Sequence, residues 1–195
     1  KLLTVEVRRQ RVTITGPGAA AERARAIAAE IHDGVEGRFL LPELSDVWGL
    51  LRRIQGAFAV EGPATPSAFG FGFFGYFGYD TAHYVEELPY LIPPANDAPD
   101  ISLSIFQGVV RYDLAAETCE IVTASASAWE PLHAKAIRAL IEDCRPVLAV
   151  EAPPPVPSPA RVRDSTTEAA YIRDVATALD YIAIGDIYQV QIGHE

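Results

Sequence analysis

Two glutamine amides, Gln189 and Gln191, stand two positions apart near the end of the sequence. Residues two apart in an extended strand share a face, so these amides can bind a polar ligand together. They can equally pair with a neighbouring strand or face solvent, and the spacing does not decide between these roles. Asp186 lies just upstream. A carboxylate there typically accepts hydrogen bonds from the backbone amides of a turn, and this role is favoured over acid–base chemistry.

A helix and a strand are predicted to position these residues. Residues 165–183 carry an apolar stripe of helical spacing, and Gly185 follows where a left-handed C-cap belongs. Residues 187–192 are β-like, and the sequence stops inside this strand. Unpaired strand edges are an aggregation liability, so we expect its neighbours to come from polypeptide beyond residue 195. The residues predicted to lie near a ligand or a domain interface are Gly185, Asp186, Tyr188, Gln189 and Gln191.

A second motif with chemical potential is the literal Gly-x-Gly-x-x-Gly at Gly70, Gly72 and Gly75. A dinucleotide fingerprint needs a buried strand before it and an acid about twenty residues after it. Neither is present, and the positions between the glycines are all Phe. Packing glycines in an aromatic strand are the favoured interpretation, and a nucleotide-binding oxidoreductase is a weak alternative.

The sequence predicts no catalytic residue and no metal ligand within the chain. It has no Gly-x-Ser-x-Gly, no P-loop and no Cys-x-x-Cys, and its four histidines share no ligand spacing. We expect His32 and His133 near solvated helix ends. His194, beside Glu195, is held open as a functional residue, although a structural or surface role is favoured.

Composition indicates a soluble, cytoplasmic protein with an ample core. Hydrophobic residues make up 49% of the 195 positions, and the net charge of −10 comes without a basic patch, which argues against nucleic-acid binding. No signal peptide and no membrane-spanning segment is apparent. Two cysteines are too few for a disulfide framework, so Cys119 and Cys144 are expected to be free, buried thiols.

The pattern of elements predicts an α+β fold of antiparallel hairpins with covering helices. One hairpin is expected over residues 2–15 and another over 101–125, with its turn at Ala115 and Ala116. Capping boxes at Ser127/Glu130 and Ser165/Glu168 predict the starts of two helices. The other predicted helices cover residues 19–32, 46–54 and 81–88. The predicted organisation is a domain over 1–150, a Pro-rich linker over 151–164, and the start of a second domain over 165–195.

Two motifs together resemble one family. The run Gly-Tyr-Phe-Gly-Tyr-Asp at 75–80 leads into Tyr-Val-Glu-Glu-Leu-Pro at 84–89. About a hundred residues later Tyr171 opens a helix, and Gly-Asp-Ile-Tyr-Gln-Val follows at 185–190. This order is similar to the N-terminal region of the chorismate-utilising enzymes, anthranilate synthase component I and aminodeoxychorismate synthase component I. The segment 191–195 departs from the family pattern, which leaves open a relative with altered chemistry in secondary metabolism.

The resemblance implies the N-terminal part of a larger two-layer enzyme that aminates chorismate. It implies ammonia from a glutamine amidotransferase partner, and magnesium bound by a C-terminal chorismate-binding domain outside this chain. Anthranilate synthase, with pyruvate elimination and tryptophan as a possible effector, is the first expectation. Aminodeoxychorismate synthase is the alternative, and a non-catalytic module that binds an effector or the amidotransferase is another. The chain alone is expected to be inactive, and homo-oligomerisation stays open.

Overall fold

The computed structural model describes residues 1–61, 70–91, 97–143, 155–158, 161 and 164–193. The chain divides into two compact units, Lys1–Arg145 and Pro146–Glu195. Each unit is a separate body of contacts. The predicted domain bounds at 150, 151–164 and 165 stay a prediction.

The first unit is built on an antiparallel sheet. Within its described residues the sheet has six strands in the order β3-β4-β2-β1-β6-β5, and every neighbouring pair is antiparallel. Helices lie against this sheet, so the α+β prediction is confirmed. The strands are β1 Leu3–Arg8, β2 Arg11–Thr15, β3 Gly34–Val35, β4 Arg38–Leu40, β5 Phe73–Phe77 and β6 Ile101–Ile105.

The β1–β2 hairpin forms as predicted, with Arg9 and Gln10 in its turn. Val5 pairs with Ile14 and Val7 with Val12, so one face carries apolar side chains and is buried. This alternation fixes the register, because a slip of one residue would turn every apolar side chain toward the opposite face. Arg9 has φ of 50°, a left-handed conformation that tight hairpin turns require.

Two helices cover this apolar face, α1 Gly18–Ala29 and α2 Asp46–Ala57. The buried side of α1 consists mainly of alanines, which allows its backbone to approach the sheet closely. The buried side of α2 is larger, and each fully buried aliphatic side chain there contributes about 2 kcal/mol. The buried residues of α2 are Val47, Leu50, Leu51 and Ile54.

The second predicted hairpin, over residues 101–125, was wrong in the extent of its first strand. The stretch from residue 101 divides after residue 105, and β6 joins the large sheet between β1 and β5. The reason is its alternation: Ile101, Leu103 and Ile105 are buried, and they pair with the apolar residues of β1. The hairpin that does form joins β7 Gly108–Asp113 to β8 Thr118–Thr123.

The turn of that hairpin includes the predicted Ala115 and Ala116. The Asp113 carboxylate accepts hydrogen bonds from both of their backbone amides, at 2.9 and 3.0 Å. Glu117 then adopts a φ of 53°. A short aspartate that captures amides two and three residues ahead is a common way to stabilise a turn.

The helix predicted over 81–88 is instead a 3-10 helix, Tyr79–Tyr84. The Ser127/Glu130 capping box does not form: α3 spans Ala134–Glu142, with His133 at its N-cap and no side-chain cap. A tertiary contact explains the shorter helix, because Trp129 stacks with Phe58 and Phe71 and the 127–129 segment makes a turn of its own.

In the second unit, α4 spans Glu168–Ala183. Thr167, not the predicted Ser165, is its N-cap, and the Thr167 hydroxyl accepts a hydrogen bond from the Ala170 amide at 3.3 Å. Serine and threonine are both residue types that favour the N-cap position. The helix therefore begins two residues later than the capping box predicts, and α4 has no buried side chain.

The cysteines and histidines differ in part from the environments predicted for them. Cys119 is free but exposed, which corrects the prediction of a buried thiol, while Cys144 lies outside the described residues. His32 is buried rather than solvated, and neither of its ring nitrogens has a hydrogen-bond partner in the described part of the chain. His133 is exposed at the start of α3, as predicted. Among the residues described, no helix is long and apolar enough to cross a membrane.

Candidate functional site

The segment predicted to approach a ligand starts with a well-formed helix cap. Gly185 has φ of 86°, as predicted for a left-handed C-cap. Its amide donates to the Ile182 carbonyl at 3.1 Å, and the Asp186 amide donates to the Tyr181 carbonyl at 3.1 Å. These two bonds make a Schellman motif, which satisfies carbonyls that the helix end would leave open. The cap fixes the direction in which the chain leaves α4.

Beyond the cap the predicted strand does not form. Residues 187–193 form no β-ladder, the chain bends at Tyr188, and the Tyr188 side chain is 93% exposed. Gln189 and Gln191 are also exposed. A strand needs a partner for its backbone groups, and β-like residue types alone do not supply one. That these residues lie near a ligand or an interface stays a prediction. His194 and Glu195 lie outside the described residues.

The aromatic and glycine-rich motif lies on β5, at one end of the large sheet. Gly75 faces Leu103 of β6, and a Cβ at this position would overlap the Ser102 carbonyl oxygen. Glycine is therefore required because the two backbones approach closely. Since Gly75 lies within a strand and not in a turn before an α-helix, the structure gives no support to the dinucleotide interpretation.

The rings of β5 alternate between the two sides of the sheet. Phe77 turns toward α2 and meets Trp48, with ring centroids 5.9 Å apart. Phe74 and Tyr76 lie on the opposite side, where they are 64% and 47% exposed. In the strands that the structure describes, β5 pairs with β6 and ends the sheet. The strand thus presents an aromatic side and an open edge together.

Hydroxyl groups line the sheet beside those exposed rings. The Thr4 and Ser104 hydroxyls are 2.9 Å apart and hydrogen-bonded to each other, and Ser104 faces Phe74 across the ladder. A hydroxyl bound to another hydroxyl, rather than to a histidine or carboxylate, is not an activated nucleophile. The surface can supply hydrogen bonds and aromatic contacts, which suits recognition rather than covalent chemistry.

A buried tyrosine anchors the end of the motif. The Tyr84 hydroxyl lies 2.7 Å from Asp100 Oδ2 and 2.9 Å from the Arg9 carbonyl. The Arg9 amide also donates to Asp100 Oδ2 at 2.7 Å, and Trp48 Nε1 donates to the Tyr84 carbonyl at 2.8 Å. Burial, then the hydrogen bond to Asp100 and its charge, raise the pKa of Tyr84 far above its ordinary value. The network joins the hairpin turn, the 3-10 helix and α2.

Sequence analysis missed this network. Its members are separated by 16 to 91 positions, and none belongs to a motif with fixed spacing. The available signal was Tyr84 itself, a large side chain with a polar end in the conspicuous segment 84–89. Such a residue, when buried, usually finds a hydrogen-bond partner.

A cavity of about 510 Å³ opens between the hairpin turn and the 3-10 helix. In it the Tyr90 ring contacts the Arg9 guanidinium at 4.7 Å and stacks on His83 at 3.8 Å. Because charges of both signs line this cavity, its electrostatics favour neither an anion nor a cation. The charged lining residues are Arg8, Arg9, Asp80, Asp97 and Asp100.

A larger cavity of about 760 Å³ lies between the end of α2, the start of β5 and the β7–β8 hairpin. Phe58 and Phe71 contribute to its lining, and Trp129 stacks on both. Arg111 at its wall is already paired with Glu120. The remaining lining is mainly apolar, which favours packing of other groups over binding of an anion.

The described residues contain no group of three or more His, Cys, Asp or Glu side chains that could hold a metal ion. The expectation that magnesium is bound elsewhere in a longer polypeptide stays a prediction.

Comparison with known proteins decides the family. Residues 5–195 match the family model described as chorismate binding enzyme. The chain belongs to this family. The resemblance found in the motifs at 75–80, 84–89 and 185–190 is thereby confirmed.

Individual relatives differ in their similarity to this chain. It is 39% identical over 178 residues to the 2-amino-4-deoxychorismate synthase of Streptomyces globisporus, which covers 91% of this chain and 35% of that protein. It is 29% identical over 170 residues to anthranilate synthase component 1 of Pseudomonas putida, covering 82% of this chain and 34% of the relative. The chain thus spans about a third of the length of these relatives.

The fold has a counterpart among solved structures. Anthranilate synthase component I from Streptococcus pneumoniae TIGR4 superposes with a TM-score of 0.55 at 16% identity, over 95% of this chain and 37% of that one. At this identity the match establishes a shared fold. It agrees with the predicted α+β class.

Proposed function

We propose that this chain is the N-terminal part of a chorismate-aminating enzyme that forms 2-amino-4-deoxychorismate. The observation that carries the proposal is the 39% identity to a 2-amino-4-deoxychorismate synthase, which extends over 91% of the chain. Identity to anthranilate synthase components is lower, at 26% to 31% over shorter shares of the chain. This order reverses the first expectation from sequence and favours its alternative, an aminodeoxychorismate synthase.

The two products differ in what happens after the amination. In the proposed reaction ammonia forms a C–N bond at C2 of chorismate, the C4–O bond breaks, and the ring double bonds shift between these carbons. The C4 hydroxyl leaves as water, and the enolpyruvyl ether stays on the ring. Anthranilate formation goes one step further, because loss of that ether as pyruvate and of a ring proton makes the ring aromatic.

The same proposal includes partners that the chain itself does not hold. Ammonia would come from a glutamine amidotransferase, and magnesium would bind chorismate on the part of the enzyme that carries its ligands. The sheet of the first unit would serve as a rigid N-terminal layer, held together by the Tyr84 network and the close β5–β6 approach at Gly75. No catalytic residue is assigned to this chain.

The test is product analysis with the full-length enzyme. Chorismate, ammonium and magnesium are incubated with it, and the products are separated and identified by mass spectrometry. We expect an aminated product that keeps the three-carbon side chain, without anthranilate or pyruvate. Parallel reactions with a chelator or without ammonium serve as controls. Unchanged chorismate would refute amination by this enzyme.

Anthranilate synthesis is the second candidate, and specific observations favour it. Anthranilate synthase components from several organisms match 64% to 82% of the chain, and the structural neighbour carries the same name. In the experiment above, anthranilate and pyruvate in equal amounts would select this candidate. Anthranilate fluorescence and a coupled pyruvate assay report the two products independently.

A further inference from the structure

We draw no further inference here: the strongest candidate, the exposed apolar face of α4 that carries Ile172, Leu179 and Ile182, is an unpartnered helix face, and nothing in the described part of the structure shows what covers it.

Discussion

Gly75 is a position where one added methyl group has a large expected effect. In Gly75→Ala the new Cβ would overlap the Ser102 carbonyl oxygen, which belongs to the backbone of the neighbouring strand and cannot rotate away. We expect a loss of about 3 kcal/mol in the free energy of unfolding. Urea denaturation of the full-length protein, followed by tryptophan fluorescence, measures this loss.

Gly49→Ala is the matched control for that substitution. Gly49 lies on the exposed side of α2, and a Cβ there meets no atom within 4 Å. Because alanine is the better helix former, this variant should gain about 0.5–1 kcal/mol. If both alanine variants changed stability equally, the close approach at Gly75 would not be the cause.

Tyr84 is the second residue whose role can be isolated by a small change. Tyr84→Phe keeps the buried ring but removes the hydroxyl that donates to Asp100 or to the Arg9 carbonyl. Leaving these acceptors without their donor should cost about 1–3 kcal/mol of stability. Tyr79→Phe removes a hydroxyl from a side chain that is 98% exposed, so it should leave the urea midpoint unchanged.

The pKa of Tyr84 adds a pH dependence. Burial, together with Asp100, raises this pKa in the folded protein above the ordinary value of 10.0. Above pH 10 the unfolded state loses the Tyr84 proton while the folded state keeps it, so unfolding releases a proton and stability falls as pH rises. Below pH 10 this contribution is fully present. Stability measured from pH 8 to 11 should fall less steeply in Tyr84→Phe, and identical slopes would contradict the assignment.

At the scale of elements, the start of α4 offers a test of the Thr167 cap. The structure places the Thr167 hydroxyl on the Ala170 amide, so Thr167→Ala should cost about 1 kcal/mol of local stability. Hydrogen exchange of the amides in the first turn of α4 should accelerate about fivefold. Thr166→Ala, one residue earlier, should leave those exchange rates unchanged. Acceleration in the Thr166 variant alone would place the cap elsewhere.

Elements were predicted correctly where the sequence signal is local, and incorrectly where the element depends on residues far away in the chain. The β1–β2 hairpin and the Gly185 cap were predicted because alternation and glycine chemistry are local properties of the chain. The place of β6 in the sheet was not predicted, because its partner β1 lies about a hundred positions away in the sequence. The strand over 187–192 failed for a related reason: residue types favour a strand, but only a neighbouring strand can complete one. The Tyr84 network needed the fold before its members could meet.

At the scale of the whole molecule, two opposing forces act between copies of this chain. The net charge of −10 repels, but salt screens it over a Debye length of about 10 Å at 0.1 M. The exposed apolar face of α4 attracts, since Ile172 and Leu179 are 58% and 59% exposed on the same side of the helix. Burying the exposed part of each side chain is worth about 1 kcal/mol. Association also costs translational and rotational freedom, about 4–15 kcal/mol, so it requires contact through several such residues and a high concentration.

As a test of that exposed face, we expect the isolated chain of residues 1–195 to self-associate weakly and reversibly at high concentration, and more strongly as salt rises. Sedimentation velocity over a concentration series measures this, and the double variant Ile172→Lys, Leu179→Lys should stay monomeric throughout. Val35→Lys is the control, because Val35 is 75% exposed on β3 and does not belong to α4. This variant adds one positive charge and leaves the apolar residues of α4 unchanged, so it should associate like the unaltered chain. A double variant that associates as readily would show that the α4 face does not drive association.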